Sequence, residues 1–334
     1  MPEITVFLPV FNGGAYLERT LASLQAQDFV PFEVLCIDDC STDGSASILQ
    51  NLAAQDSRFH YMRPDQNLGS ASRAIQFAAP RAKGKRFVYS SQDDLFSPDW
   101  LSKLHQRALS GGLDAVLPQV EFYHEGKTDN RRLCGLNGSL DAVISGREAL
   151  IASLDWSIPG NALWPISFLE TPGFADLGAF SDEFSVRRFF LACDKIGFCD
   201  GIFYYRQDNS EAITKVLKPA RLDEVAANFE VWKLLKESAF ERETLGSFAY
   251  RTLRSLIRAQ SFVFLAPQLA GHENGLHRLW SDMKQAGLPT DLAFAPALQK
   301  GKIRAPLYMR AARSWPWLRA LARVSSWSKR LKRR

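Results

Sequence analysis

Hydrophobic runs alternate with amphipathic stretches through the first hundred residues of the chain. Residues 4–11, 34–37 and 59–62 are short apolar runs rich in β-branched or aromatic side chains, which is typical of buried strands. Over residues 17–24 the leucines instead recur every three or four positions, which indicates an amphipathic helix. This alternation predicts an α/β fold with a doubly wound, mostly parallel sheet.

Polar side chains follow three of the predicted strands, at the point where each apolar run ends. They are Asn12, the pair Asp38 and Asp39, and the pair Asp93 and Asp94. Because ligands of open α/β sheets bind at the carboxyl ends of the strands, we expect these groups to converge on one site. Adjacent carboxylates suit Mg²⁺ or Mn²⁺, which hold diphosphates, but paired aspartates also start turns and cap helices.

Beyond residue 110 the alternation of strand and helix patterns is less regular. The chain then becomes helical in pattern and ends in a separate tail. Strands are predicted at residues 114–123 and 198–205, and residues 219–285 are almost wholly helical in pattern. We therefore divide the chain into an α/β domain of two halves, a helical region and a tail: 1–215 (1–100 and 101–215), 216–299 and 300–334.

Composition places the chain among ordinary soluble proteins. It has 334 residues, of which 46% are hydrophobic and 23% charged, and no apolar stretch approaches the roughly 20 residues that span a bilayer. The five cysteines form no C-x-x-C pair, and their odd number without a secretory leader indicates free thiols in a reducing compartment. We therefore expect a cytoplasmic protein, soluble or peripheral to a membrane, without a zinc or disulfide framework.

Four short motifs together resemble one known family. Residues 9–17, 37–45, 67–69 and 92–94 follow one another as they do in the inverting family 2 glycosyltransferases of the GT-A fold, many of which build bacterial polysaccharides and envelope glycans. The resemblance extends from residue 4 to about residue 210 and leaves out the helical region and the tail. It implies a metal-dependent hexosyl- or N-acetylhexosaminyl-transferase. In such an enzyme residues 1–100 would form the nucleotide-binding half of the α/β domain and residues 101–215 the acceptor half.

The resemblance implies a role for each motif residue on the donor side. The family's Asp-x-Asp signature is replaced here by Gln92-Asp93-Asp94, a common variant that leaves one firmly supported side-chain ligand for Mg²⁺ or Mn²⁺. The implied donor contacts are Pro9 and Phe11 with the base, Asp38 and Asp39 with base and ribose, Arg73 with phosphate, Asp93 with ribose, Asp94 with the metal and Arg206 with the diphosphate. Alternatively, Phe11 is a core aromatic and Arg73 lies on a solvated helix face.

On the acceptor side, an inverting transfer needs a carboxylate that takes the proton of the attacking hydroxyl. Asp182 and Arg188 resemble the family's Glu-Asp motif with an arginine six residues later, although Ser181 stands where the glutamate is usual. The register can therefore shift by one and assign the role to Glu183. We favour Asp182, and an aspartate that caps a helix is the structural alternative.

The function implied is transfer of a sugar from a nucleotide sugar, UDP-linked in most relatives, to a glycan or lipid-linked acceptor. The alternative is a catalytically silent protein of the same fold that acts as a scaffold at a membrane surface. A glycoside hydrolase would not need the nucleotide-type strand ends, and a phosphorelay receiver domain would be far shorter.

The tail carries the strongest charge in the chain. Residues 300–334 contain twelve lysines and arginines and no acid, whereas the first 299 residues hold 29 basic and 36 acidic residues. On a helix from Trp317, one side would carry Trp317, Ala320, Leu321, Val324, Trp327 and Leu331, and the other Arg319, Arg323, Arg330 and Arg333. This pattern favours docking on an anionic membrane at the inner face of the cell membrane. The alternatives are a helix packed on the acidic body and a nucleic-acid tail; we expect no nucleic acid.

Overall fold

The computed structural model describes residues 1–213, 215–296 and 305–331, and it divides the chain into two compact units. The first unit comprises residues 1–176 and 185–209, and the second comprises residues 177–184 and 210–334. The division differs from the sequence-based one in two ways. Residues 177–184 belong with the helical region, and the described part of the tail forms one unit with that region.

The first unit is built on a five-stranded sheet. Its order is β3-β2-β1-β4-β8, in which the first four strands are parallel and β8 pairs antiparallel with β4. Nearly every residue of β1 and β2 is buried, because helices cover both faces of a parallel sheet. The strands are β1 (Ile4–Val10), β2 (Phe32–Asp38), β3 (Phe59–Met62), β4 (Arg86–Tyr89) and β8 (Trp164–Pro165).

A second sheet in the same unit has the order β5-β9-β6-β7, with β6 and β9 parallel. Its strands are β5 (Leu95–Phe96), β6 (Ala115–Tyr123), β7 (Arg132–Leu133) and β9 (Ile196–Arg206). Phe96, Trp100 and Phe203 join it to the main core through stacked and edge-on ring contacts. The predicted strands 114–123 and 198–205 are thus present, and the mixed, mostly parallel α/β architecture is confirmed.

The helices of the first unit follow the predicted pattern. α5 begins with a capping box, in which Ser145 accepts a hydrogen bond from the N–H of Glu148 and the Glu148 carboxylate accepts one from the N–H of Ser145. These helices are α1 (Leu17–Gln25), α2 (Ser45–Gln55), α3 (Ala71–Ala78), α4 (Trp100–Gly111) and α5 (Gly146–Leu154). α6 (Ser181–Leu191) begins in the second unit and continues into the first.

The second unit is helical, as predicted for residues 219–285. Its longest helix, α8, buries one side against α7 and is apolar there. The helices are α7 (Glu224–Glu237), α8 (Arg242–Leu265), α9 (Glu273–Gln285), α10 (Leu288–Leu292), α11 (Ala305–Arg313) and α12 (Trp315–Leu331). Within the part of the chain that the structure describes, no helix is both long and apolar enough to cross a bilayer.

The tail helix α12 packs against α8, and its buried side differs from the predicted apolar side. Leu318 and Ala322 are fully buried, whereas Trp317 and Val324 are 46% and 65% exposed. The predicted apolar side therefore faces outward, because the contact with α8 is made one position further round the helix. Of the predicted face residues, the side chains of Trp327, Arg330 and Leu331, and all of Arg333, lie outside the described residues.

Candidate functional site

The three polar strand ends meet at one edge of the first sheet. The N–H of Asp39 donates to the carbonyl of Val10 at 2.7 Å, which joins the end of β2 to the end of β1. The side chain of Asn12 accepts a hydrogen bond from the N–H of Thr42 at 2.8 Å, and the N–H of Asn12 donates to Ser41 Oγ at 3.0 Å. The turns after β1 and β2 are therefore bound to each other, as expected from the parallel topology.

Two residues of these turns have a backbone conformation that L-amino acids rarely adopt. Asn12 has φ 51° and Cys40 has φ 61°. Asparagine tolerates this left-handed region, but for cysteine it costs roughly 1 kcal/mol or more. Such strain persists only where the surrounding contacts impose it, and it is frequent at functional sites.

Phe11 presents an exposed ring on a firmly held backbone. The ring is 49% exposed, and the Gln92 side chain accepts from the N–H of Phe11 at 2.6 Å and donates to its carbonyl at 3.0 Å. Gly13 allows this approach, since a β-carbon there would lie only 3.0 Å from the Gln92 side chain. Phe11 is therefore not a core aromatic, and its open face suits stacking on a planar ring. Pro9, which lies two residues earlier in β1, is half-buried.

Asp38 points into the protein rather than toward the edge. Its side chain is fully buried, accepts hydrogen bonds from the N–H of Ser41 at 2.9 Å and from the Tyr61 hydroxyl at 3.1 Å, and forms an ion pair with Arg63. These partners satisfy the carboxylate inside the unit. This geometry does not fit the contact with base or ribose that the sequence implied for Asp38, because the carboxylate has no exposed oxygen to offer.

Asp39 anchors the loop that follows β3. Its two carboxylate oxygens accept from the N–H groups of Leu68 at 2.6 Å and Gly69 at 3.1 Å, and its carbonyl accepts from the Asn67 side chain at 2.6 Å. Gly69 has φ 79°, which a residue with a side chain would adopt only with strain. The motif Asn67-Leu68-Gly69 is thus held directly against the end of β2.

Arg73 extends the same cluster to the first turn of α3. Its guanidinium forms a two-fold ion pair with Asp176, with N···O distances of 2.7 and 3.0 Å, and donates to the carbonyl of Leu68 at 3.1 Å. Both charged side chains are about half exposed. Arg73 therefore lies on an exposed face of α3, as the alternative has it, and is paired there with Asp176 beside the loop.

Asp93 and Asp94 lie in the turn between β4 and β5, a few residues beyond the strand end that the sequence predicted. Asp94 is 3% exposed, and its Oδ1 accepts from the N–H of Arg206 at 3.1 Å. Burial, reinforced by the neighbouring charge of Asp93, raises the pKa of Asp94 well above its usual value. Asp93 is half-buried, and its Oδ2 accepts from the Asn209 side chain at 2.7 Å.

Arg206 holds this turn from the end of β9. Its Nε donates to the carbonyl of Asp93 at 2.7 Å, and its Nη1 lies 3.1 Å from Asp208 Oδ1. The guanidinium carbon lies 4.6 Å from the centre of the Tyr16 ring and 5.2 Å from that of Tyr123. Its side chain is fully buried, so Arg206 is positioned to orient the acidic pair and not, in this arrangement, to close over a diphosphate.

The acidic pair fits a divalent cation that takes most of its ligands from elsewhere. The described residues contain no group of three or more His, Cys, Asp or Glu that could hold a metal ion by itself. Asp93 and Asp94 nevertheless offer hard carboxylate oxygens, and a cation would stabilise the ionised form of Asp94 that burial disfavours. Phosphate oxygens and water would complete such a coordination sphere.

The predicted acceptor-side residues lie on α6. Asp182 is exposed and Glu183 half-buried, and both belong to the second unit. Ser181 begins the helix, donating to the carbonyl of Gly178 at 2.6 Å and accepting from the N–H of Leu177 at 2.8 Å. Arg188 belongs to the first unit, where it donates to the carbonyl of Pro172.

Several residues of the site were not identified from the sequence. Arg63 neutralises Asp38, the rings of Tyr16 and Tyr123 enclose Arg206, and Asn209 binds Asp93. Tyr16 and Asn209 stand inside or beside recognised motifs and could have been proposed on that ground. Arg63 and Tyr123 carry no local signal, because only the pairing of strands brings them to their partners.

Comparison with known proteins gives a consistent picture. The model of the family "Glycosyl transferase family 2" matches residues 5–156. The glycosyltransferase GlyG of Streptococcus pneumoniae is 24% identical over 223 residues, which are 61% of this chain and 70% of GlyG. The GalNAc(5)-diNAcBac-PP-undecaprenol beta-1,3-glucosyltransferase of Campylobacter jejuni is 32% identical over 152 residues, 46% of this chain and 48% of that enzyme.

Among solved structures, TarS residues 1–349 of S. aureus in complex with UDP-GlcNAc superposes with a TM-score of 0.71 at 17% identity, covering 99% of this chain and 92% of that one. At this identity the likeness concerns the fold. The GT-A fold followed by a helical region, predicted from the motifs, is thereby confirmed. The chain spans only about half the length of the C. jejuni relative.

Proposed function

We propose that the protein is an inverting glycosyltransferase that transfers a sugar from a UDP-linked donor, since the model of the family "Glycosyl transferase family 2" matches residues 5–156. The observation that carries the proposal is the edge at which Phe11, Gln92 and the pair Asp93 and Asp94 converge. There an exposed aromatic ring lies on the same side as two carboxylates. The ring can stack on a base, and the carboxylates can hold the cation of a diphosphate.

On the donor side, the ring of Phe11 stacks on the base, with Pro9 shaping the segment beneath it. Asp39 keeps free lone pairs on oxygens that already accept from Leu68 and Gly69, so it can accept an N–H of the base while anchored. Asp93 accepts from the ribose. Asp38 supports the turn from within, which revises the role that the sequence implied for it.

The phosphates lie toward Arg73 and the acidic pair in this proposal. Asp94, with Asp93, would hold Mg²⁺ or Mn²⁺, and when bound the cation supplies positive charge against the diphosphate leaving group. Arg206 keeps the Asp94 carboxylate oriented through its backbone N–H. Arg73 exchanges its ion pair with Asp176 for the diphosphate, which is feasible because both partners are about half exposed.

On the acceptor side, Asp182 accepts the proton of the attacking hydroxyl, and Glu183 is the alternative base. Asp182 is exposed near the start of α6, as a carboxylate that must meet a second substrate has to be. Attack from the face opposite the diphosphate inverts the anomeric configuration. Arg188 fixes the following turn of α6 through the carbonyl of Pro172.

The sugar transferred is a hexose or an N-acetylhexosamine, and the acceptor is a glycan or a lipid-linked glycan. The UDP-GlcNAc bound by TarS and the undecaprenol-linked acceptor named for the C. jejuni relative support this class of substrates. An acceptor of this kind is located at a membrane, so we place the protein at the inner face of the cell membrane as a peripheral protein.

The test is a thermal-shift screen of UDP- and GDP-sugars with Mn²⁺, followed by an assay of nucleoside diphosphate release with the best donor. We expect one donor to raise the melting temperature by several degrees and Asp94→Ala to abolish the shift and the turnover. A protein that binds no nucleotide sugar, or binds one but never releases diphosphate with any glycan acceptor, would instead be a silent scaffold of the same fold.

A further inference from the structure

The tail forms a cleft where two helices meet. α11 ends at Arg313 and α12 begins at Trp315, and Ser314 between them accepts from the N–H of Leu318 at 3.0 Å. The cleft beside this bend has a volume of about 320 Å³. It is lined by Met309, Arg310, Arg313, Ser314 and Trp317.

The cleft lies on a support that is fixed to the rest of the second unit. Ala311 and Ala312 of α11 and Leu318 and Ala322 of α12 are all buried. The indole N–H of Trp280 on α9 donates to the carbonyl of Ala311 at 3.1 Å. The two helices are thus anchored by one side, and the cleft is on the side that remains exposed.

The two cations that line the cleft have no neutralising carboxylate among the described residues. Arg319 on α12 pairs with Glu273 on α9, with an N···O distance of 2.7 Å. Arg310 and Arg313, in contrast, have no carboxylate partner among the residues that the structure describes, and Arg310 lies 5.1 Å from the centre of the Trp317 ring. Two adjacent cations without a counter-charge repel each other unless an anion binds between them.

Apolar side chains surround these cations on the exposed surface. Trp317, Val324 and Leu307 are 46%, 65% and 39% exposed, and no acidic residue occurs from position 300 onward. Exposed apolar groups beside unpaired cations fit a partner that is both anionic and apolar. A bilayer of anionic lipids has this chemistry, since its phosphates lie directly above the acyl region where tryptophan is favoured.

We propose that the cleft at the bend between α11 and α12 binds the phosphate group of an anionic phospholipid, with Trp317 and Val324 entering the interface. The proposal rests on the peripheral membrane position suggested above. It keeps Trp317 and Val324 of the predicted apolar side and assigns the anion to Arg310 and Arg313 instead of the arginines predicted on the opposite side of α12. Arg310 and Arg313 hold the phosphate, and Arg319 takes no part because Glu273 engages it. Each cation near an anionic surface contributes roughly 1 kcal/mol, which corresponds to about fivefold in affinity.

The experiment is sedimentation of the full chain with vesicles of phosphatidylcholine and phosphatidylglycerol at 0.1 M salt. Reversal of both charges in Arg310→Glu/Arg313→Glu should reduce binding at least tenfold, and Trp317→Ala should reduce it severalfold. The matched control is Arg81→Glu/Lys127→Glu, which changes the net charge equally at exposed positions of the first unit and should bind nearly as well as the wild type.

Four outcomes would overturn the proposal. They are equal binding by the Arg310/Arg313 variant and its control, undiminished binding to pure phosphatidylcholine, full displacement by millimolar inorganic phosphate, and retention by single-stranded RNA in place of vesicles. Circular dichroism and melting temperature establish that each variant is folded. The thermal shift produced by the nucleotide-sugar donor is measured on the same variants, because donor binding does not depend on the tail. A retained shift with no membrane binding means that only the membrane site is wrong. A shift that is absent even in the wild type means that the transferase proposal is wrong.

Discussion

The backbone N–H of Arg206 donates a hydrogen bond to Oδ1 of Asp94 at 3.1 Å, although 112 positions separate the two residues. The contact joins the end of β9 to the turn after β4, so that the second sheet orients a carboxylate next to the first. Asp94 is 3% exposed, and burial and Asp93 raise its pKa. An aspartate held in this state destabilises the fold when it ionises, and a bound cation reverses that effect.

The first prediction follows from this state of Asp94. In metal-free protein at pH 7.5, Asp94→Asn should raise the melting temperature by a few degrees, because the amide keeps the shape without the buried charge. The same variant should lose the increase in melting temperature that Mn²⁺ and donor produce in the wild type. Asp93→Asn serves as the control, since its carboxylate is only half-buried and accepts a hydrogen bond from the Asn209 side chain. Destabilisation of the metal-free Asp94→Asn variant would contradict the assignment.

The pH dependence of stability is the second prediction. Because the pKa of Asp94 is raised in the folded state, its contribution to stability is full below the unfolded pKa of about 4 and is lost as pH rises through the folded pKa. The free energy of unfolding of metal-free protein, measured with urea, should therefore fall over this range more in the wild type than in Asp94→Asn. Parallel profiles for the two proteins would show that Asp94 is not the titrating group.

Gln92 gives a third prediction, about positioning. Gln92→Ala removes both hydrogen bonds that hold the backbone of Phe11, so the ring is no longer fixed for stacking. We expect the Kd for UDP, measured by calorimetry, to rise about tenfold, the equivalent of roughly 1.4 kcal/mol. Gln92→Glu keeps the acceptor for the N–H and should lose less. An unchanged Kd in Gln92→Ala would mean that Phe11 needs no such support or does not bind the base.

Arg63 allows a test of the inward role of Asp38. Arg63→Ala leaves a fully buried carboxylate with only neutral donors, from Tyr61 and the N–H of Ser41, and should lower the free energy of unfolding measured with urea. The double variant Arg63→Ala/Asp38→Asn should recover part of this loss, because the uncompensated charge is removed. If Arg63→Ala instead weakened nucleotide binding at unchanged stability, the Asp38 pair would belong to the donor site.

The base on the acceptor side is the subject of the fifth prediction. Asp182→Asn should lower kcat by about a hundredfold or more, with an unchanged KM for the donor, because basicity is lost while shape is kept. Glu183→Gln is the matched control on the same turn of α6 and should retain most activity. The reverse pattern, with Asp182→Asn active and Glu183→Gln inactive, would transfer the role to Glu183.

The local elements of this fold were predictable because their signals are local. Burial on both faces of a parallel sheet requires continuous apolar runs, so β1 and the central residues of β2 are recognisable from their residues alone. The capping box at Ser145 likewise specifies where α5 starts without reference to any neighbour. The order of the four motifs indicated the family. Because ligands of open α/β sheets bind at the carboxyl ends of the strands, the polar residues of these motifs were expected at one edge.

Contacts between distant segments were decided by the tertiary structure. Asp38 and Asp39 are adjacent and chemically identical, yet the pleat directs one carboxylate inward to Arg63 and the other to the loop at Leu68. On α12, periodicity established an apolar side but not which side docks. α8 buries Leu318 and Ala322 and leaves Trp317 exposed, because packing depends on the surface that the partner helix offers. The sequence by itself thus determined the elements and their chemistry, and only the folded chain decided where each side chain points.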